Sequence, residues 1–297
     1  MKKIVLIANP ISGQGKAKKA ALLSKEVLDQ KNHEVHIEYT KHAGHATALA
    51  KDLSQRYDII VAVGGDGTVN EVAQGLLDTS KTLGIIPTGS GNGLARHLKI
   101  PMNTKNAALC IDRFTTKEID TPTINGKNFF CTAGIGFDAH ISHVFSEMSG
   151  RGLSNYVKAI FTEYGSYKTG EYTIQYDDKT ERESAFVITV GNAAQYGNEA
   201  MITPLASIHD DHLDVTLLRK PSLFTAMNWG MRLFFKNIHK APRSKYFKTK
   251  RLKIHSSKGL LEINGHRDGE PDLWEFPLTF DINEGRKLSV IVNSNNI

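Results

Sequence analysis

The chain has 297 residues, 40% of them hydrophobic and 23% charged, and a formal net charge of +6. Length and composition suit one large or two ordinary packed domains, and no segment is low in complexity. No run approaches the roughly 18 apolar residues that span a bilayer, Ile4–Ala8 is too short for the apolar region of a signal peptide, and Cys110 and Cys131 have no metal-type spacing, so a cytoplasmic, reduced protein is expected.

The charge is unevenly placed. From Val215 to Leu261 there is no Asp or Glu, while Lys and Arg number 12. Taking those from the total of +6 leaves −6 for the rest of the chain. Such asymmetry points to an anionic partner, a membrane surface or nucleic acid. No nucleic-acid recognition motif accompanies it, so nucleic acid is not expected.

In chain order, Lys3–Ala8 is a continuous apolar run and reads as a strand buried on both faces. A helix is predicted over Gly13–Lys31, an alternating strand over Glu34–Tyr39 and a short helix over Gly44–Ser54. Ile59–Val63 reads as a second buried strand, Val69–Leu77 as a helix and Leu83–Ile86 as a further strand. This βαβαβαβ order implies a parallel sheet with right-handed crossovers. Beyond Lys117 the texture turns β-rich: Lys117–Ile124, an Asn125-Gly126 hairpin signal and Lys127–Thr132. Strands follow at Glu171–Tyr176, Ala185–Val190, Leu213–Leu218, Phe247–His255, Leu260–Ile263, Leu278–Asp281 and Lys287–Val292. Helical patterns occupy Ala139–Met148, Asn155–Tyr164 and Ser222–Lys240. The expectation is an α/β domain over residues 1–120 and a mostly antiparallel β domain over 121–297. The last strand or strands are open to packing back on the first domain.

The stretch GGDGTVNEV (64–72) stands where a buried strand ends and a helix begins. Ligands of α/β sheets bind at such strand ends. Glycines there permit close backbone approach, and a helix start favours phosphate. A tight βα turn would account for the glycines equally well. Asp66 adds a carboxylate, which beside a phosphate requires an intervening cation and so suggests Mg²⁺. NPISGQGK (9–16), TKHAGHA (40–46) and PTGSGNGLAR (87–96) fall at equivalent strand ends, and together the four loops read as a nucleotide site.

These motifs, with GIGFDA (134–139) and DGE (268–270), occur in this order in the diacylglycerol kinase catalytic-domain family, which includes bacterial lipid kinases and sphingosine kinases. The chain resembles that family over essentially its whole length. NAD kinases share GGDGT but lack the NP.SG and GSGN.LAR blocks. The resemblance implies a nucleotide site formed by Asn9, Pro10, Ser12, Gly13, Thr40, Gly64, Gly65, Asp66, Gly67, Thr68, Glu71, Thr88 and Gly89. It implies Mg²⁺ at Asp66, and Asp268 and Glu270 as the acid–base pair, with Asp66 also catalytic. A structural Mg²⁺ would use Asp211 and the carbonyl of Leu213 in HDDHLDV (209–215). The chain departs from the family pattern at Gly93, where many bacterial diacylglycerol kinases have Asp, and at His212, which replaces a glycine.

Phosphoryl transfer needs alignment, charge neutralisation and a proton acceptor. Asp268 lies some 200 residues from Asp66, so the expected site is a cleft between the domains. A hairpin turn is the structural alternative for RDGEP. For GIGFDA, plain packing with Asp138 as a helix cap is expected, and no chemistry is assigned. On Ser222–Lys240, Phe224, Met227, Met231, Phe234, Phe235 and Ile238 recur at helical spacing ahead of a cationic stretch. The simpler reading buries this stripe in the domain's own core; the sharper one docks part of the surface on anionic lipid.

The sequence therefore leads to an ATP- and Mg²⁺-dependent lipid kinase, peripheral at the inner face of the membrane. It would phosphorylate a primary hydroxyl of a lipid such as diacylglycerol or a sphingoid base. The alternatives are an NAD kinase-like enzyme and a non-catalytic nucleotide- or lipid-binding regulator. A homodimer is left open.

Overall fold

In the computed structural model, residues 1–147 and 153–293 are described. The chain forms two compact units, one built from Met1–Thr121 and the segment from Gly285 onward, the other from Pro122–Glu284.

In the first unit β1 (Lys3–Ala8), α1 (Lys16–Asp29), β2 (Glu34–Tyr39), α2 (His45–Leu53), β3 (Ile59–Gly64), α3 (Asp66–Leu76) and β4 (Thr82–Pro87) alternate. Two further helices, α4 (Gly93–His97) and α5 (Thr104–Arg113), lead to β5 (Thr116–Asp120). Each strand from β1 to β4 pairs parallel with its neighbours. Residues 59–64 and 82–87 are buried throughout, as expected for central strands with helices over both faces. The predicted helix starts fall earlier than the observed ones at α1 and α2, because the glycines there belong to the preceding loops. Helix α5 carries no signal in the sequence reading; Asn103 starts it, accepting the Asn106 N–H at 3.2 Å.

The second unit opens with β6 (Thr123–Ile124), β7 (Lys127–Asn128), β8 (Thr132–Gly136), α6 (Phe137–Glu147) and α7 (Leu153–Glu163). Strands β9 (Gly170–Tyr176), β10 (Lys179–Ala185), β11 (Val187–Gly191), β12 (Gln195–Gly197), β13 (Ala200–Met201) and β14 (Leu213–Leu218) follow. After α8 (Leu223–Phe234) come β15 (Ser244–Thr249), β16 (Arg251–Ser256), β17 (Glu262–Arg267), β18 (Glu270–Glu275) and β19 (Leu278–Asp281). Finally β20 (Lys287–Ile291) joins the first unit's sheet, giving the order β2-β1-β3-β4-β20-β5.

Two antiparallel sheets, β10-β9-β16-β19-β6-β7 and β15-β14-β11-β8-β17-β18, share a core that includes Phe129, Ile135, Ile174, Val215, Leu252, Trp274 and Phe280. The arrangement is a β-sandwich. A second core, including Phe137, Ile141, Phe186, Leu218, Trp229 and Ile238, lies among α6, α7, α8 and their neighbouring strands. The expected fold class, a parallel-sheet α/β domain followed by an antiparallel β domain, is the one observed. The predicted strand Phe247–His255 is two strands of different sheets, with the chain crossing over at Lys250. The last residue of the predicted helix Ala139–Met148 lies outside the described residues.

Candidate active site

Because β1 to β4 run parallel, the loops after them emerge along one edge of the sheet. Those loops are joined to one another through the backbone. The Ser12 hydroxyl accepts the Gly65 N–H at 3.0 Å, and Gly64 O accepts the Thr88 N–H at 2.8 Å. Asn92 both accepts from Gly89 N–H, at 3.0 Å, and donates to Gly89 O, at 2.7 Å. Asn9 takes the Ile11 N–H on its side chain and gives its own N–H to Val63 O, while the Thr40 N–H reaches Ala8 O.

This packing corrects the simplest reading of the glycines. A Cβ at Gly13, whose φ is +60°, would stand 2.2 Å from Thr88 O. One at Gly89 would stand 2.7 Å from the Gly65 Cα, and one at Gly64 would stand 2.4 Å from the Thr68 side chain. Gly13 and Gly89 lack side chains so that the loops can touch, and Gly64 lacks one so that the first turn of α3 can pack against the end of β3. Gly15 and Gly44, both at positive φ, face open space and serve as starts of α1 and α2.

The two carboxylates of α3 cap its neighbours. Asp66 Oδ1 accepts the Gly93 N–H at 2.7 Å and Oδ2 accepts the Asn92 N–H at 2.8 Å, closing the start of α4. Glu71 Oε2 accepts the Ala46 N–H at 3.1 Å in the first turn of α2. By contrast α1 and α3 begin at Gly15 and Gly65 without any side-chain cap, although in α1 the Lys16 and Ala17 N–H groups donate to Gly13 O and Ser12 O at 3.3 Å. Helix starts of that kind present N–H groups that attract anions. Beside them the Thr88 hydroxyl is buried and has no hydrogen-bond partner among the described residues. A buried hydroxyl without a partner is costly. Ser12, Gly13, Gly65, Gly67, Thr68 and Thr88 thus fit a phosphate-bearing ligand. Asp66 fits one cation held mainly by that ligand, since each carboxylate oxygen accepts in more than one direction.

In the second unit the predicted acid–base pair has unequal surroundings. Asp268 is 5% exposed. Its Oδ1 accepts N–H groups from Phe130, Cys131 and Thr132 at 3.2, 2.7 and 3.1 Å, and its Oδ2 accepts from Phe130 at 2.9 Å. The residue sits at φ +49° in the β17–β18 turn, so this carboxylate anchors the hairpin to the segment entering β8. Glu270, first residue of β18, is exposed, and no side-chain partner is found for it among the described residues. RDGEP is thus the hairpin turn that Asp-Gly favours, with one acid turned inward and the other left at the surface.

The residues expected to hold a structural metal, Asp211 and Leu213, lie where the chain enters β14. Among the described residues no group of three or more His, Cys, Asp or Glu side chains could hold an ion. Lys248 instead places its ammonium 2.7 Å from Asp210 Oδ2 and 3.5 Å from Asp214 Oδ2, and His212 contacts Asp210 O at 2.6 Å. Tyr246 donates its hydroxyl proton to Asp214. Burial raises the Asp214 pKa against these partners. Leu213 begins β14 opposite Thr249, and Asp211 occupies the turn at φ +56°. Lys248 thus neutralises the two acids on either side of the expected metal residues, Asp210 and Asp214.

One buried cluster escaped the sequence reading. In GIGFDA the sharp turn from β8 to α6 puts Asp138 in the first turn of α6, where its Oδ2 accepts from Tyr196 Oη at 2.6 Å, Thr189 Oγ1 at 2.9 Å and His266 Nε2 at 3.0 Å. His266 is 2% exposed and lies two residues before Asp268 on β17. Burial pushes the Asp138 carboxyl upward, but the His266 charge and the three hydrogen bonds outweigh it, leaving the pKa below the usual carboxylate range. The available signal was the pairing of GIGFDA with GHRDGE, two short motifs far apart in sequence.

A parallel-sheet α/β unit followed by an antiparallel sandwich makes up a two-domain architecture. Residues 3–124 match the model of the diacylglycerol kinase catalytic domain, and residues 131–292 match the YegS C-terminal NAD kinase beta sandwich-like domain. The chain belongs to the diacylglycerol kinase catalytic-domain family. It is 32% identical to the diacylglycerol kinase of Bacillus subtilis (strain 168) over 279 residues, covering 91% of each chain. It is 29% identical to the diacylglycerol kinase of Staphylococcus haemolyticus (strain JCSC1435), covering 89% of this chain and 81% of that one. A crystal structure from Bacillus anthracis str. Sterne matches with a TM-score of 0.81 and 26% identity, covering 100% of this chain and 99% of that one.

Two outcomes follow. Gly13→Ala forces a side chain onto the Thr88 carbonyl in a left-handed conformation, so thermal unfolding should report a loss of roughly 1–3 kcal/mol. Asp138→Asn should cost roughly 1–3 kcal/mol near neutral pH by weakening the buried acceptor of Tyr196, Thr189 and His266. A depressed carboxyl pKa contributes stability above its unfolded value and loses it as pH falls through the folded value. The gap between wild type and Asp138→Asn should therefore narrow below about pH 4, as pH-dependent melts would show.

Proposed function

We propose that this protein transfers the γ-phosphoryl group of ATP to a primary hydroxyl of a lipid alcohol, with diacylglycerol or a sphingoid base as the acceptor class. The observation that carries the reading is the pair of uncapped helix starts on one sheet edge, with the partnerless Thr88 hydroxyl and Asp66 beside them. The names of the bacterial relatives support the kinase assignment.

In this reading the N–H groups at the starts of α1 and α3, with Ser12 and Thr68, hold the phosphates, and the Thr88 hydroxyl donates to one of them. Asn9, Pro10 and Thr40 line the nucleotide side, and Glu71 keeps the 40–46 loop in place through Ala46. Asp66 would hold a Mg²⁺ bound with ATP, which would supply charge neutralisation at the transferring group. Glu270 takes the proton of the attacking hydroxyl because it is the exposed acid of the pair. Asp268 positions that hairpin through its three peptide donors.

The match of residues 131–292 to an NAD kinase-like sandwich favours a second reading, in which the acceptor is a dinucleotide. Labelled ATP and Mg²⁺ supplied with a panel of lipid alcohols and NAD separates the two. Label in a lipid supports the proposal, label in NAD alone supports the second reading, and nucleotide binding without transfer removes both. Glu270→Gln should lower turnover by about 10²–10⁴-fold with an unchanged melting temperature. Asp66→Asn should abolish turnover while costing about 1 kcal/mol of stability through the weakened α4 cap. A Glu270→Gln enzyme with wild-type turnover would remove that residue from the mechanism.

A further inference from the structure

Helix α8 is apolar on two opposite sides. One side is accounted for: Trp229 is 6% exposed, joins the core with Ile238 and Leu218, and donates its indole N–H to Pro242 O at 3.0 Å. The other side carries Phe224, Met227, Met231, Phe234 and Phe235, which are 85%, 61%, 56%, 52% and 73% exposed. This corrects the simpler expectation from the sequence, that the domain buries the stripe. Single exposed apolar residues are ordinary on a protein surface; five at helical spacing on one face are not.

The cations around this face differ from the rest of the basic region. Of the 12 Lys and Arg between residues 215 and 261, half are neutralised by carboxylates from elsewhere in the unit. Arg219 pairs with Glu183, Lys245 with Glu181, Lys248 with Asp210, Lys250 with Glu284, Arg251 with Asp281 and Lys258 with Glu171. Among the described residues no carboxylate lies within ion-pair distance of Lys220, Arg232, Lys236, Lys240 or Arg243. All five belong to α8 or its immediate flanks, and four of them are exposed; the sixth without such a pair, Lys253, is exposed on β16. The cationic excess is therefore concentrated around α8, five of those six charges lying beside a helix face that has an apolar stripe and no acidic residue.

We infer that α8 is an interfacial helix that lies in the plane of an anionic lipid surface. Phe224, Met227, Met231, Phe234 and Phe235 seat in the boundary between headgroups and acyl chains, and the flanking Lys and Arg contact the lipid phosphates. Apolar burial and electrostatic attraction act together in such helices, and neither alone gives stable attachment. Each cation near an anionic surface contributes roughly fivefold to the partition constant, so several make a selective anchor. Nucleic acid would engage the cations but leave the apolar stripe in water, and a second copy of the chain would cover the stripe but bring like charges together.

The test is co-sedimentation of the full chain with vesicles, without nucleotide. Vesicles of phosphatidylcholine doped with phosphatidylglycerol should bind it and vesicles of phosphatidylcholine alone should not. The double variant Phe224→Ser/Phe235→Ser should lower the partition constant at least tenfold with an unchanged melting temperature, and Lys236→Glu/Lys240→Glu should do likewise. A Phe235→Trp variant adds a direct readout: the emission it adds to that of the wild type should be quenched by lipids brominated on the acyl chains. Equal binding to neutral vesicles, wild-type binding by the double Phe variant, or no quenching of the added emission in Phe235→Trp would each overturn the inference. So would a dimer in solution that the double Phe variant dissociates and that does not bind vesicles. Because no ATP is present, a negative result leaves the phosphoryl-transfer reading standing, and absence of turnover leaves this one standing.

Discussion

The candidate nucleotide site depends on two carboxylates of one helix that are used as caps for two others. Asp66 closes the start of α4 and Glu71 the start of α2, so α3 fixes the loops on either side of it. A negative charge at a helix start is favourable, because the peptide N–H groups there carry partial positive charge. The consequence is a division among four helix starts on one sheet edge. Two are satisfied by protein carboxylates, and two begin at glycine with no side-chain cap. That division concentrates the attraction for an external anion at α3, since Lys16 and Ala17 of α1 already donate to Gly13 O and Ser12 O. It also gives Asp66 a reason to be present apart from any metal, since its removal would loosen the β4–α4 loop that carries Thr88 and Gly89.

Much of the first unit was legible because its pattern is local. Lys3–Ala8 and Glu34–Tyr39 were read with their observed bounds, one from a continuous apolar run and the other from alternation. In the second unit the failures have a common cause. Strand β10 reads KTERESA and lies at a sheet edge, half in solvent, so it offers little apolar alternation. The run 247–255 is continuous in composition, yet its halves belong to opposite sheets of the sandwich. Composition cannot show where a chain changes partners. The same limit applies to α8. Periodicity revealed an apolar stripe, but the core takes the side bearing Trp229, a single large residue, rather than the side with five.

For the site, the motifs located the residues and not their partners. Asp66 is held by peptides 26 and 27 residues away, and Asp268 by peptides 136 to 138 residues away. These contacts are made to backbone N–H groups, which leave no signature in the identity of the partner residue. The buried Asp138 cluster was invisible for the same reason: its donors come from β11, β12 and β17, and only the folded sandwich brings them together. The charge count showed a similar loss of information. A run without acids looked uniformly cationic until carboxylates from other strands were found beside six of its twelve charges.

The two acids of the β17–β18 turn show how a hairpin can separate roles that the sequence presents as a pair. Three consecutive peptide N–H groups at residues 130–132 converge on Asp268, a concave donor array of the kind that binds anions. The chain fills that array with its own carboxylate. Asp268 is held by three backbone donors in a place from which water is largely excluded, which ties its carboxylate to the 130–132 segment. Glu270 stands two residues on, at the exposed first position of β18. The left-handed turn at Asp268 and Gly269 is what allows one acid to point inward while the other remains in solvent. Burial of Asp268 therefore fixes the hairpin that presents Glu270, and the short spacing in DGE follows from that geometry.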